Sequence, residues 1–344
     1  MRQAGGAPRL GAALLCAAAL LGALGLCVCV GSVNLPLKDT LAVLWNALAG
    51  LPGAEGLPGA VLLRVRLPRV LCVALVGAAL SLCGAAMQGL LRNPLADGST
   101  LGVSSGASLG AVLAIALGLQ FPALPFAGTL VLAVAFAFLS LVAVLGLAAR
   151  LDGSFSTQTI VLLGVVYSMF ASSLLNLTIT FFPEKVRSIT FWTMGSLAGS
   201  SYANALLLFV ALAVFGGMLL LRAGELNAFA LGEDNARNIG VDVRRCKLTI
   251  LACVSALTGV CVAVGGSIGF VGLVMPHMAR MLAGPNHKRL LPFSAVFGAV
   301  FLLLADLAAR VVLRPMELPI GVITSLVGAA AFIYIFCAVR RGRP

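Results

Sequence analysis

Charge is scarce in this sequence: Asp, Glu, Lys and Arg together make up 10% of its 344 residues, where a soluble domain carries roughly 25%. With 61% hydrophobic residues and a mean hydropathy of +1.10, a water-soluble fold is excluded. The acids are fewer than the bases, 11 against 23 Lys and Arg, which gives a formal net charge of +12. Only Asp306 stands well inside an apolar run, and His277 and His287 are the only histidines. An ion-driven carrier keeps buried ionisable groups along its route, and a membrane enzyme acting on diphosphates or sugars gathers carboxylates around a metal. Neither constellation occurs, so no catalytic residue, metal site or cofactor is expected. No phosphate-cradling loop ending in Gly-Lys-Ser/Thr is present either, so any ATP must be hydrolysed by another subunit. No C-x-x-C pair exists among the nine cysteines; Cys16, Cys27, Cys29, Cys72, Cys83, Cys253, Cys261 and Cys337 lie in apolar runs and read as small buried hydrophobes. The basic residues form no patch interleaved with aromatics, which argues against a nucleic-acid partner.

What the chain does have is length of hydrocarbon. Apolar runs cover 10–31, 67–91, 99–118, 123–149, 158–181, 203–222, 246–268, 270–283, 292–313 and 318–338, and about 20 such residues cross a bilayer as a helix. Continuous Leu, Ala, Val and Gly runs exclude a β-barrel, whose strands alternate over about ten residues. The first run has a basic leader like a signal peptide, but its apolar stretch is long enough to remain a span. The expected fold is therefore all-α, a single polytopic domain over 1–344 with about ten transmembrane helices in the lipid bilayer. An even number of spans puts both termini on one side. The terminal residues Arg2, Arg9, Arg340, Arg341 and Arg343 assign that side to the cytoplasm. Threading on from there leaves an external basic group, Lys38, Arg64, Arg66, Arg69, Lys185, Arg187, Arg310 and Arg314, that the inside rule does not explain.

Two connections are longer than turns. Residues 181–202 carry Trp192 and the spacing of a short interfacial helix. Residues 223–245, expected inside, alternate Leu226, Phe229, Leu231 and Ile239 with acids and Asn, while Gly232 and Gly240 punctuate two short helices. Such a patterned polar loop is expected to meet a soluble partner, and it touches no span, so deleting residues 232–240 should leave a folded protein. A shift of 182 positions superposes Gly77 on Gly259, Gly84 on Gly266, Pro94 on Pro276 and Gly102 on Gly284, which suggests that helices two to five and seven to ten are inverted halves. Gly98, Gly102, Gly106 and Gly110 stand four apart, a spacing that lets helices approach closely. Asp306 and Arg310 are placed to pair on one helix face.

The wording of several segments carries a resemblance. Arg66-Leu67-Pro68-Arg69, the run GAALSLCGAAMQGLLRNPLADGSTLGVSSGA at 77–107, FWTMGSLAG at 191–199, LGEDNARNIGV at 231–241, GSIGFVGLVMPHMARMLAGPNHKRLLP at 266–292 and ELPIGVITSLVGA at 317–329 resemble the FecCD family, in order, from about residue 60 onward. These are permease subunits of ATP-binding-cassette (ABC) importers for iron-siderophore complexes, haem and cobalamin. The resemblance implies a homodimer or a heterodimer with a second permease in the bacterial cytoplasmic membrane. Two ATPase subunits would dock inside and a substrate-binding protein outside. It implies that Leu226, Phe229, Leu231, Gly232, Glu233, Asp234, Arg237 and Gly240 belong to the coupling helices that sit on the ATPases, and that Ser156 and Thr157 belong to the cytoplasmic gate. Arg66, Arg69 and Arg310 match arginines that meet acids of the binding protein in the cobalamin permeases. The last helix departs from the family's G-A-P-F-F with Gly328, Ala329, Ala330, Ala331 and Phe332. The expected cargo is a ferric chelate, the alternatives being cobalamin or haem, passing along a broad, weakly polar path.

Overall fold

The computed structural model describes residues 10–31, 36–49, 56–119, 127–151 and 156–340, and among them there is no strand. The terminal arginines 2, 9, 341 and 343 and the start of the run at 123 lie outside the described residues. In chain order the helices are α1 Leu10–Cys29, α2 Leu37–Ala49, α3 Leu57–Gly59, α4 Leu67–Leu91, α5 Val103–Ala116, α6 Ala127–Leu151, α7 Thr157–Phe181 and α8 Val186–Thr193. There follow α9 Tyr202–Ala211, α10 Gly217–Leu221, α11 Ala223–Phe229, α12 Glu233–Asn238, α13 Val243–Gly265, α14 Val271–Ala283, α15 His287–Val311 and α16 Ile320–Arg340. Among the described residues, seven of the helical segments are long and apolar enough to cross a membrane, and α5, α14 and α16 hold shorter apolar stretches at the positions of the remaining runs.

The second span starts at Ala60 rather than at Leu67. There the chain widens to a π-helical turn over Ala60–Arg66, with Leu67 N–H reaching back to the Leu62 carbonyl, and α3, this turn and α4 run on as one helix. Tyr202 donates its hydroxyl to the Leu63 carbonyl in the same turn, at 2.6 Å. The helix α2, amphipathic with Val43 and Thr40 buried and Trp45 exposed, was not legible as a separate element.

The core is α4, which packs chiefly on α15 and also on α13 and α14; α5 packs on α6 and α7 beside it. Of the most apolar windows, 72% of the span containing α4 and 78% of α13 are buried, against 17% of α7, so α7 is attached along one stripe only. Close approach at the centre depends on missing side chains. A β-carbon on Gly84 would run into the carbonyl of Gly272, and one on Gly77 into that of Gly298. The glycines at 106 and 110 likewise seat α5 against Ser140 and the Leu132 carbonyl of α6, the packing role expected of that stripe. Its N-terminal side is closed by a capping box: the Asp97 carboxylate accepts from the N–H groups of Ser99 and Thr100, and Thr100 Oγ1 accepts from Asp97 N–H. Six of the cysteines expected to be buried are so, and Cys246 with them, but Cys29 is half-buried and Cys337 is exposed.

The two prolines that aligned under the 182-residue shift are not alike. Pro94 lies in the turn after α4, whereas Pro276 lies inside α14 without ending it. An internal proline leaves the carbonyl four residues earlier, Gly272, without its helical donor. Gln88 on α4, buried, turns its Nε2 to that carbonyl at 3.5 Å and to Leu273 O at 3.1 Å, and its Oε1 accepts from Arg280 Nη2 at 3.3 Å. Replacing Gln88 with leucine should therefore cost about 1–3 kcal/mol, the cost of unsatisfied buried groups, read as a lower unfolding midpoint of the purified protein in detergent. An unchanged midpoint would show that the α14 carbonyls find another donor.

Candidate functional site

The polar loop forms the two short helices that its glycines punctuate, α11 and α12, with Gly232 and Gly240 at φ of 110° and 91° in backbone that side-chain-bearing residues avoid. Its apolar residues divide. Leu226 and Phe229 are fully buried where α11 packs on α4 and α15, so they anchor the loop rather than offer a surface. Leu231 and Ile239, 66% and 65% exposed, point outward together with Asp234 and Arg237. The outward patch is thus two apolar side chains ringed by charge, and Ile239 belongs to it although sequence reasoning did not place it among the site residues. Arg222, Glu225, Ile239, Gly240, Asp242 and Arg245 line a cleft of about 430 Å3 beside it. Asn227 ties α11 to the start of α15: its Oδ1 accepts from His287 N at 2.8 Å and lies 2.9 Å from Nδ1 of the same ring, and its Nδ2 donates to Asn286 Oδ1 at 3.0 Å.

Residues 152–155, just before the expected gate, lie outside the described residues. Ser156 caps α7 by accepting from Thr159 N–H at 3.3 Å. Thr157 donates its hydroxyl to Glu233 Oε1 at 3.2 Å, and Glu233 in turn receives Lys247 Nζ at 2.7 Å on each carboxylate oxygen. Two groups of residues far apart in sequence, those expected at the gate and those expected in the coupling loop, therefore touch. Because Glu233 pairs with the buried Lys247, deleting 232–240 would also remove a buried ion pair, so the loop is tied to the fold as well as to its surface.

At the other end of the molecule, Arg66, Arg69 and Arg310 do come together, but inward, at 4%, 7% and 3% exposure. Asp306 is the hub. Its Oδ1 accepts from Arg69 Nε at 3.0 Å and Nη2 at 2.8 Å, and its Oδ2 lies 2.9 Å from Arg310 Nε, the pair expected from their spacing. Arg69 Nη1 also reaches Glu317, partly exposed, at 2.7 Å. The remaining guanidinium groups face the end of α1. Arg66 Nη1 donates to the carbonyls of Val28 and Cys29 at 2.9 and 3.1 Å. Arg310 Nη1 donates to those of Cys27 and Val30 at 3.4 and 3.2 Å, and Arg314 Nη2 to that of Gly31 at 2.6 Å. The last carbonyls of a helix have no intrahelical donor and carry the negative end of its dipole, so cations belong there. Docking on a partner through Arg66, Arg69 and Arg310 requires accessible guanidinium groups, and that expectation is replaced by this internal role.

Three of the motifs meet near that end. Ser196 N–H donates to the carbonyl of Gly265, the residue before GSIGF, at 2.9 Å and Ile320 N–H to the Gly195 carbonyl at 3.2 Å, so FWTMGSLAG is tied by its backbone to the end of α13 and to ELPIG. A β-carbon on Gly266 or Gly321 would strike the carbonyls of Trp192 or Met194, which explains small residues there.

The helix α7 supplies the remaining surface. Ile160, Gly164, Ala171 and Thr178 form its single buried stripe, while Ser172, Ser173, Asn176 and Thr180 stand exposed within a span. The hydroxyls of Ser173 and Thr180 fold back on the carbonyls four residues earlier, at 3.0 Å each. That face is weakly polar and without charge.

Comparison with known proteins agrees with this architecture. A relative from Bacillus subtilis strain 168, named as the uncharacterized ABC transporter permease protein YvrB, is 45% identical over 319 residues, 91% of this chain and 89% of its own. The cobalamin import system permease protein BtuC of Halobacterium salinarum is 39% identical over 271 residues, 79% of this chain and 72% of its own. A solved structure of an inward-facing ABC transporter assigned to the metal-chelate type superposes with a TM-score of 0.81 at 32% identity, covering 93% of this chain and 96% of that one. The model of the FecCD transport family matches residues 15–338, and the chain belongs to that family.

Proposed function

We propose that the chain is the membrane-spanning subunit of an ABC importer for a metal chelate, with a ferric siderophore as the leading cargo. It is a multi-pass permease of the cytoplasmic membrane, working with an ATPase and a substrate-binding protein. Two copies, or this chain and a second permease, would face each other across a central passage, with two ATPases on the coupling loops. The observation that carries this reading is the exposed face of α7. Polar side chains within a span face a bundle interior or a water-filled cavity rather than lipid, and Ser172, Ser173, Asn176 and Thr180 give such a cavity an uncharged wall suited to a bulky cargo. Cobalamin is the second reading, favoured by the 39% identity to a permease named for it.

The test is uptake into vesicles holding the chain with its ATPase and binding protein, comparing ferrichrome carrying radioactive iron with labelled cyanocobalamin. ATP-dependent uptake of ferrichrome is expected, with no ATP hydrolysis by the purified chain alone. Uptake of cyanocobalamin alone would select the second reading. Uptake driven by a proton gradient without the ATPase, or ATPase activity in the pure chain, would overturn both.

A further inference from the structure

We propose that Glu233 is a positioning residue that clamps the first turn of α7 to the coupling loop, and that its contact with Thr157 is the bond released when the loop moves. The inference rests on the reading of α11 and α12 as the ATPase-facing loop. One carboxylate makes two attachments of unequal strength. Toward α13 it forms a two-oxygen ion pair with Lys247, 2.7 Å on each oxygen, and the lysine side chain is 3% exposed. Pulling Glu233 away from it would break a two-oxygen, charge-assisted ion pair at a buried lysine, which costs more than losing one neutral hydrogen bond. Toward α7 it accepts one hydroxyl hydrogen bond at 3.2 Å, from Thr157, which is only half-buried, so water can replace Glu233 there at little cost. The core explains the asymmetry further, since α13 is the most buried of the apolar windows and α7 the least. A displacement of α12 therefore keeps the Lys247 contact and gives way at Thr157.

What lies on the far side of that bond is the first turn of α7. The next anchor along the helix is Ile160, fully buried, about 5 Å from Thr157 at 1.5 Å per residue, and Gly164, where a β-carbon would strike the Thr100 carbonyl, follows one turn later. With Glu233 in place this first turn is held to α12; with the bond open that hold is lost and the turn shifts up to Ile160. Glu233 thereby links the coupling loop to the gate, 76 residues away in sequence from the threonine it holds.

Gln158, exposed on the same first turn, reports the position of this end. In a Cys337→Ser background, where the other cysteines are buried or half-buried, Gln158→Cys is reacted with a membrane-impermeant maleimide. The complex with the ATPase is compared with and without ATP and vanadate. The labelling rate is expected to change at least about fivefold with nucleotide, the lower end of ordinary coupling between sites. Adding Thr157→Val, which leaves the ion pair intact, should reduce that change to less than about twofold, and Glu233→Gln should do the same in the complexes that assemble. A merely structural role for Glu233 would lower the yield of all complexes without touching the nucleotide dependence of those that remain. A nucleotide response that survives Thr157→Val overturns the clamp while leaving the importer reading standing. A complex whose parent form binds the ATPase but shows no nucleotide response overturns the clamp and the gate together, and failure to bind the ATPase at all overturns the coupling reading beneath them.

Discussion

Asp306→Asn is expected to lower the stability of the protein by about 3–5 kcal/mol, the range for removing one partner of a buried ion pair. The carboxylate is 1% exposed and is shared by two arginines whose side chains are 8% and 3% exposed. An asparagine of the same shape still accepts a hydrogen bond from Arg69, but it leaves the charge of two guanidinium groups with only Glu317 and the carbonyls of α1 as counterweight. Glu317→Gln removes a partner that is 31% exposed, where solvent screens the loss to below about 1 kcal/mol. The pair of variants is read by unfolding midpoints in one detergent. The contrast in size is the diagnostic, because a general sensitivity of this end of the protein would lower both alike. An Asp306→Asn protein as stable as the parent would show that the helix-end carbonyls alone balance the arginines.

Leu231→Asp combined with Ile239→Asp is expected to abolish co-purification with the ATPase while leaving the fold unchanged. Both side chains are about two-thirds exposed, so charging them costs the free subunit little. In an interface, a buried apolar anchor lost to a carboxylate costs about 2 kcal/mol or more, and two together weaken binding about a thousandfold. Phe229→Ala supplies the opposite case. Its ring is fully buried against the membrane helices, and its loss should destabilise the chain by about 3–5 kcal/mol before any effect on binding. A doubly charged loop that still holds the ATPase would place the contact elsewhere, with the cleft beside Arg222 and Arg245 the next surface to test.

The legible parts of this protein were those whose physics is local. Hydrocarbon runs gave the spans, positive-φ glycines the two loop helices, and an i, i+4 spacing the Asp306–Arg310 pair. Alternation showed that 223–245 is amphipathic but not which apolar residues face the membrane domain, and Leu226 and Phe229 went to the inside while Leu231 and Ile239 stayed out. The prolines aligned by the 182-residue shift proved unlike: at Pro276 the helix runs on, and Gln88 serves a freed carbonyl from another helix. The site contacts were illegible for a plain reason: Arg69 meets Asp306 across 237 positions and Thr157 meets Glu233 across 76, and no periodicity spans such distances. External arginines that looked like a surface in sequence became an interior once α1, α4 and α15 were brought side by side.

The cap on α1 has a consequence for the order in which the protein is made. The donors to its last carbonyls come from residue 66 and from residues 310 and 314, the farthest of them 283 positions downstream. A ribosome that has delivered the first span and the second has supplied one arginine of the three, and neither Asp306 nor Glu317 yet exists to balance Arg69. The earliest helix is therefore among the last to be seated. A chain cut short before α15 lacks both acids that balance Arg69, so the ion-pair hub closes only when the last two helices arrive.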